Sequence, residues 1–401
     1  MSKIDTNPEK IKSLLSYNVE EVIIREDLEK KLASGKKLRI KLGCDPSRPD
    51  LHLGHAIVLG KLREFQEMGH QVVFIIGDST GMIGDPSGKS KTRPALSKEE
   101  VSKNAKTYFK QVGKILDLKK TEVRYNSEWF SKFGLEDILK LTGKFTVARV
   151  LERDDFSKRL KSGIDVAVSE ILYPLMQAYD SIMIEADVEI GGTDQKFNML
   201  AGRDLQRKMG KPEQNVLTTP LLVGLDGKEK MSKSLDNYIG ITEDANSMFG
   251  KIMSIPDRMI IYYFKLLTKI SPDESKQIEA DLNDAAKNPK DLKVKLAKEI
   301  IETYHNKKDA EKAEEEFNKI FRDKQKPTEM ENRKVEAGKW KAVDLLIKLN
   351  LTASKSEARR LIEQGGVRID DTVQKDWNRE IEIKNGMIVQ VGKRKFVKII
   401  I

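Results

Sequence analysis

Two of the chain's four histidines, His52 and His55, stand three apart in PDLHLGHAI, residues 49–57. At that spacing both fall on one face of a helix's first turn. Asp50 reads as the cap, and an apolar-periodic run follows through Val58, Leu59, Leu62 and Phe65 toward Gly69. Three chemistries suit such a pair: metal ligation, handling of a phosphate, or packing. First-turn amides point outward and carry partial positive charge, so the place favours an anion, with phosphate the first choice. A metal centre asks for more ligands than the single cysteine, Cys44, can add, and no HExxH-type glutamate is present.

A second stretch, EKMSKS from Glu229, sets Lys230 and Lys233 three apart with serines around them. It reads either as a solvated basic loop or as a mobile cationic loop for a polyphosphate. A third, SEILYPLMQAYDSIMI, carries Tyr173, Gln177 and Asp180. Spacings of four and three put them on one helical face beside the apolar Leu172, Leu175 and Met176, as a binding stripe or a surface one. GMIGDPSGKS invites a phosphate-loop reading. Its first glycine would have to stand five before Gly88, where Ile83 is, and Asp85 and Pro86 oppose an amide cradle.

Those residues need a scaffold that gathers them. RIKLGCD from Arg39 and QVVFIIGD from Gln71 read as buried strands flanking the histidine helix, which makes a right-handed parallel unit. Ligands in such sheets bind beyond the carboxyl ends of the strands. GCDPSRPDLHLGH leaves the first strand there, and GDSTGMIGDPSGKSKTR leaves the second. SIMIEADVEI from Ser181, running into GGTDQKFNML, reads as a third strand, glycine turn and helix, and PLLVGLDG as a strand before EKMSKS. From Ile241 the pattern turns helical. Residues 324–339 are polar and read as a linker, and a small module follows with two short helices and four strand-like runs.

The chain has 401 residues, a formal net charge of +10 and one cysteine. Its length predicts two or three domains, and its cysteine count excludes an internal disulfide framework. The basic balance suits a polyanionic partner, although a solvated surface has the same signature. No long apolar run opens the sequence, so neither a signal peptide nor a membrane span is expected, and a cytoplasmic location is.

With HLGH in a first crossover and an unaltered KMSKS downstream, the sequence resembles the class I aminoacyl-tRNA synthetases. Tyr-x3-Gln-x2-Asp, GGTDQ and TGMIGDPSGK narrow the resemblance to bacterial-type tyrosyl-tRNA synthetases, along essentially the whole chain. The resemblance implies an α/β fold with four parts. A Rossmann-like catalytic domain spans residues 1–240, with an insertion at about 98–156 as a dimer contact. An α-helical anticodon-binding domain spans residues 241–325, a linker 326–337, and a small α+β RNA-binding module 338–401. Implied partners are L-tyrosine, ATP with Mg²⁺, tRNA(Tyr) and a second copy of the chain, with no organic cofactor, no metal site of the protein's own and no membrane.

Residue by residue, the resemblance assigns Asp85, Tyr173 and Gln177 to the substrate ammonium, Asp180 to the phenol and Gln195 to the carboxylate. Asp45, Ser47, His52, Gly54, His55, Gly192 and Asp194 go to ATP. Lys89, Arg93, Lys230 and Lys233 gather round the pyrophosphate, with Met231, Ser232 and Ser234 in the same loop. Where many relatives place a second phenol-binding tyrosine this chain has Lys41, which leaves Asp180 plus water, or a rearranged lysine, for the phenol. Arg359, Arg360, Lys393, Arg394 and Lys395 are the candidate RNA contacts, in a module with 14 Lys/Arg against 8 Asp/Glu.

Overall fold

The computed structural model describes residues 4–46, 50–87, 97–322, 330–392 and 395–401. It divides into two compact units, one of residues 1–244 and 251–304, the other of residues 245–250 and 305–401.

The first unit is built on a six-stranded sheet. Its strands are β1 (Glu21–Ile23), β2 (Arg39–Cys44), β3 (Gln71–Ile76), β4 (Thr121–Tyr125), β5 (Val188–Gly192) and β6 (Asn215–Thr219), in the spatial order β1-β6-β5-β2-β3-β4. All ladders from β6 to β4 are parallel, and β1 closes one edge antiparallel. Apolar β-branched runs explain the inner strands. Val72 through Ile76 are all essentially buried, as a parallel sheet covered on both faces requires. From β2 the chain moves outward to β3 and β4, then returns to the other side of β2 for β5 and β6. The reversal opens a crevice between β2 and β5 at their carboxyl ends, where ligands bind in doubly wound sheets.

Helices Leu53–Glu67 and Lys98–Val112 make the crossovers into β3 and β4, and Lys196–Lys208 the one from β5 to β6. The helix Val168–Met183 packs Leu175 and Ala178 against Ala201 and Leu205 of Lys196–Lys208, in a cluster that also buries Phe156. Among the described residues no helix is long and apolar enough to cross a membrane.

Four local expectations change. Ser181–Met183 close the helix Val168–Met183, and the strand begins only at Val188. The 3.6-residue apolar period of the helix continues through Ile182, so an alternating strand pattern was never present. PLLVGLDG forms no strand and makes a single bridge, Val223 to Lys230. The span 98–156 carries a crossover helix and β4 of the central sheet, so it is not wholly an insertion. The polar segment read as a linker contains β7 (Glu331–Lys334), which is polar because it lies at a sheet edge.

In the second unit β7 pairs parallel with the last strand. The remaining strands are β8 (Lys339–Lys341), β9 (Val367–Ile369), β10 (Thr372–Gln374), β11 (Glu380–Glu382), β12 (Ile388–Val391) and β13 (Lys395–Ile400). They form a five-stranded sheet, β10-β9-β12-β13-β7, and a β11-β8 ladder. Helices Ala342–Lys348 and Lys355–Glu363 bury Leu345, Leu346, Ala358 and Ile362 against Val389, Val397 and Ile399.

Candidate active site

The histidine helix starts later than its sequence suggests. The cap is His52, not Asp50. His52 Nδ1 accepts from the Gly54 amide at 3.2 Å, and His55 Nδ1 accepts from the His52 amide at 3.2 Å. The pair is thus a reciprocal capping box in imidazole form. Because each Nδ1 is an acceptor, each neutral ring carries its proton on Nε2 and keeps one donor to offer. Burial, followed by the charge of Lys233, pushes His55 down to about 4, and burial lowers His52 as well, so both rings are neutral at pH 7. Gly54 fits because a Cβ there would lie 3.0 Å from the His52 ring. The turn is also tied to the chain beyond KMSKS. Leu53 N donates to Ile239 O, and Ile241 N to Leu51 O, both at 3.0 Å.

Beside this turn the stripe residues meet the strand ends. The Tyr173 hydroxyl donates to Asp45 Oδ2 at 2.8 Å, and Thr80 Oγ1 donates to Asp45 Oδ1 at 2.7 Å. Burial and then the Asp45 charge hold the Tyr173 phenol above its usual range. Asp180 is 3% exposed and accepts from Trp129 Nε1 at 3.0 Å and more loosely from Asn126 Nδ2 at 3.5 Å. Burial pushes its carboxyl up to about 7, against the charge of Lys41 and those two bonds. Asp85 Oδ2 accepts from Gln195 Nε2 at 2.7 Å. Arg153, 4% exposed, bonds Ser87 Oγ and Asn198 Oδ1 and lies 3.6 Å from Asp85 Oδ1.

Lys41 is fully buried, yet among the described residues it bonds to neighbours other than Asp180. Its Nζ reaches Glu189 Oε1 at 2.9 Å, Gln177 O at 2.8 Å and Ser181 Oγ at 2.7 Å. Lys41 and Glu189 are register partners on β2 and β5.

The basic loop is clasped by a residue outside the motif, Asn237, 4% exposed. Its Oδ1 accepts from Ser232 N at 2.8 Å, and its Nδ2 donates to Asp226 Oδ2 at 2.9 Å and Lys230 O at 3.2 Å. Gly224 makes room, since a Cβ there would sit 2.2 Å from Asn237 Nδ2. Buried Met231 donates its amide to Leu222 O, and Ser232 and Ser234 join hydroxyls at 2.9 Å. Lys230 Nζ pairs with Asp194 Oδ2 at 2.6 Å, just past Gly192 at the end of β5. Lys233 stands 6.0 Å from the Tyr108 ring centre and is close enough to lower both histidines.

The structure therefore brings Asp45, His52, Gly54, His55, Asp85, Tyr173, Gln177, Asp180, Asp194, Gln195 and the loop lysines to one end of one sheet. Ser47, Lys89 and Arg93 lie outside the described residues, as do Lys393 and Arg394 in the second unit. There Arg359 stacks 4.0 Å from the Trp377 ring centre, Arg360 is exposed, and Lys395 Nζ donates to Leu351 O at 3.1 Å. Sequence reasoning passed over Asn126, Trp129, Arg153, Glu189 and Asn237. Only Asn126 carried a local signal, as a turn former directly after a strand-like run.

A family model described as tRNA synthetases class I (W and Y) matches residues 33–322. A second, the tyrosine–tRNA ligase SYY-like C-terminal domain, matches residues 323–399. Tyrosine–tRNA ligase of Thermotoga maritima is 51% identical, over 98% of each chain. Tyrosine–tRNA ligase 2 of Clostridium acetobutylicum is 50% identical over the full length of both chains. Among solved structures, tyrosyl-tRNA synthetase complexed with L-tyrosine from Archaeoglobus fulgidus is similar at 26% identity and a TM-score of 0.62, covering 77% of this chain and 99% of that one. Matched by that model across the sheet and its crevice, and half identical to such relatives from end to end, the chain belongs to the class I tRNA synthetases (W and Y).

Proposed function

We propose that the chain is a tyrosine–tRNA ligase, which joins L-tyrosine to ATP as tyrosyl-adenylate and then to the 3′ end of tRNA(Tyr). The observation that carries this reading is the buried Asp180 at the foot of the Tyr173–Gln177–Asp180 stripe, a carboxylate able to accept a hydrogen bond from a phenol. Asp85, Tyr173 and Gln177 then hold the α-ammonium, and Gln195 lies toward the carboxylate. That carboxylate attacks the α-phosphorus of ATP, and the bond to pyrophosphate breaks. Two neutral Nε2 donors, of His52 and His55, meet the leaving phosphates while Lys230 and Lys233 supply the charge, joined by Lys89 and Arg93. In the second step the ribose hydroxyl of tRNA attacks the acyl carbon and AMP leaves. Both steps rest on positioning and charge stabilisation, with no covalent enzyme intermediate.

Asp45, Ser47, Gly54, Gly192 and Asp194 serve the nucleotide. Lys230 must exchange Asp194 for phosphate when ATP arrives, which frees that carboxylate for the ribose. Mg²⁺ enters as part of the ATP substrate. Among the described residues no group of three or more His, Cys, Asp or Glu is placed to hold a metal.

The four-part division, catalytic, helical, linking and RNA-binding, belongs to the same proposal, with its linker shortened by β7. So do a cytoplasmic location and a homodimer. Self-association is supported by an exposed apolar set on three helices of the first unit, Leu135 (73% exposed), Leu139, Val147 and Val168 (74% exposed). Charging of unfractionated tRNA with each labelled amino acid tests the function. Tyrosine alone should be esterified, and charging with another amino acid in its place would refute it.

A further inference from the structure

Glu189 lies behind the stripe and not within it. It is 1% exposed, and every bond its carboxylate makes is one it accepts. Oε1 takes Lys41 Nζ at 2.9 Å and Gln177 Nε2 at 3.1 Å. Oε2 takes Gln214 Nε2 at 2.5 Å and Ser181 Oγ at 3.2 Å. The cluster joins three elements: β2 through Lys41, β5 through Glu189, and the helix Val168–Met183 through Gln177 and Ser181. Lys41 also ties down that helix's backbone at Gln177 O.

An amide side chain is two-faced. It can present its NH₂ or its oxygen to a neighbour, and only the neighbour decides which. A carboxylate paired with an ammonium accepts and does not donate, so Gln177 must turn its NH₂ to Glu189. Its Oε1 is then the atom left for the crevice. Among the described residues no protein donor reaches that oxygen. A lone acceptor facing the crevice suits a cation.

We infer that the buried Lys41–Glu189 pair is a positioning device that fixes the Gln177 amide with its oxygen toward the crevice, and so gives the site its preference for a substrate bearing an ammonium group. Lys41 on this account does not touch the phenol. It supplies the charge that lets a carboxylate stand at the register position opposite it. The inference rests on the proposed tyrosine site and names what selects one end of that substrate.

The test uses the full chain and tyrosine-dependent ATP–pyrophosphate exchange, inhibited by tyramine or by 4-ethylphenol. These inhibitors differ only in the amine, so the ratio of their inhibition constants reads ammonium recognition alone. Removing one member of a buried pair risks misfolding, so the pair is replaced together by apolar residues in two packings, K41M/E189L and K41L/E189M. Each should lower the wild-type preference for tyramine by about tenfold, the order of one charge-assisted hydrogen bond, with KM for ATP unchanged. If either double variant weakens both inhibitors equally and leaves the ratio intact, the pair only supports packing and the inference is overturned. Absence of tyrosine-dependent exchange in the wild type would instead refute the proposed function.

Discussion

Asp180 is where a single residue governs the pH response. Its carboxyl titrates at about 7, pushed up by burial, so it is protonated below that and an anionic acceptor above it. In its proposed role the anion accepts a hydrogen bond from the tyrosine phenol, so kcat/KM for tyrosine should fall about tenfold per pH unit below pH 7. His55, pushed down to about 4, is neutral throughout that range and adds nothing to the slope. Asp180→Asn should lower activation and flatten this limb, and a limb of unchanged slope in the variant would assign it to another group. The same shifts set stability with opposite signs. A folded-state value above the unfolded one makes Asp180 less favourable to folding as pH rises from about 4 to 7. A depressed one makes His55 less favourable as pH falls from about 6.5 to 4. In its proposed role Lys233 acts on charge that develops after binding. Lys233→Ala should slow adenylate formation by roughly 30- to 150-fold, from about 2–3 kcal/mol of charge-assisted contact, and leave tyrosine affinity unchanged in equilibrium binding.

At the scale of elements, the strand ends work because certain positions have no side chain. A Cβ on Gly77, directly after β3, would lie 2.0 Å from Asp45 Oδ1 and 2.3 Å from Thr80 Oγ1. Gly77→Ala should therefore push Asp45 off Tyr173, raise KM for tyrosine and cost about 1–3 kcal/mol in urea unfolding. An unchanged midpoint and KM would show that the turn yields at no cost. Here the limits of sequence reading are visible. Strands β2 and β3 and the histidine helix were legible because apolar runs and a 3.6-residue period announce burial. The shared first turn of the histidine pair was legible from its spacing, yet the sequence points to Asp50 as its cap, since Asp is the common cap and imidazole a rare one. PLLVGLDG misled because its backbone bonds go to its own loop and to the hydroxyls of Tyr262 and Tyr263, and not to a ladder of the sheet. Trp129 and Glu189 were silent because they act on residues brought near only by the fold, Asp180 and Lys41, and Asn237 because it clasps a nearby loop that no apolar period marks. Glu189 lies twelve residues from Gln177 and opposite Lys41 only once β2 and β5 are neighbours.

Across the whole molecule, the proposed function divides labour between adenylate chemistry and tRNA contact. Arg359, Arg360 and Lys395 belong to a folded second unit with its own core, so its basic excess is not that of a solubilising tail. Ending the chain at Arg322, before β7, should leave ATP–pyrophosphate exchange near normal and sharply reduce tRNA charging, with the remaining charging less sensitive to salt. Full charging by the truncated chain at physiological salt would remove that role from the residues beyond Arg322. The proposed function stands or falls on whether the crevice between β2 and β5 activates tyrosine. ATP–pyrophosphate exchange by the full chain, run in parallel with tyrosine, phenylalanine and tryptophan, tests it most directly. Rapid exchange with tyrosine, and exchange near background with the other two, is the predicted result. Exchange driven by tryptophan, or by none of the three, would contradict it.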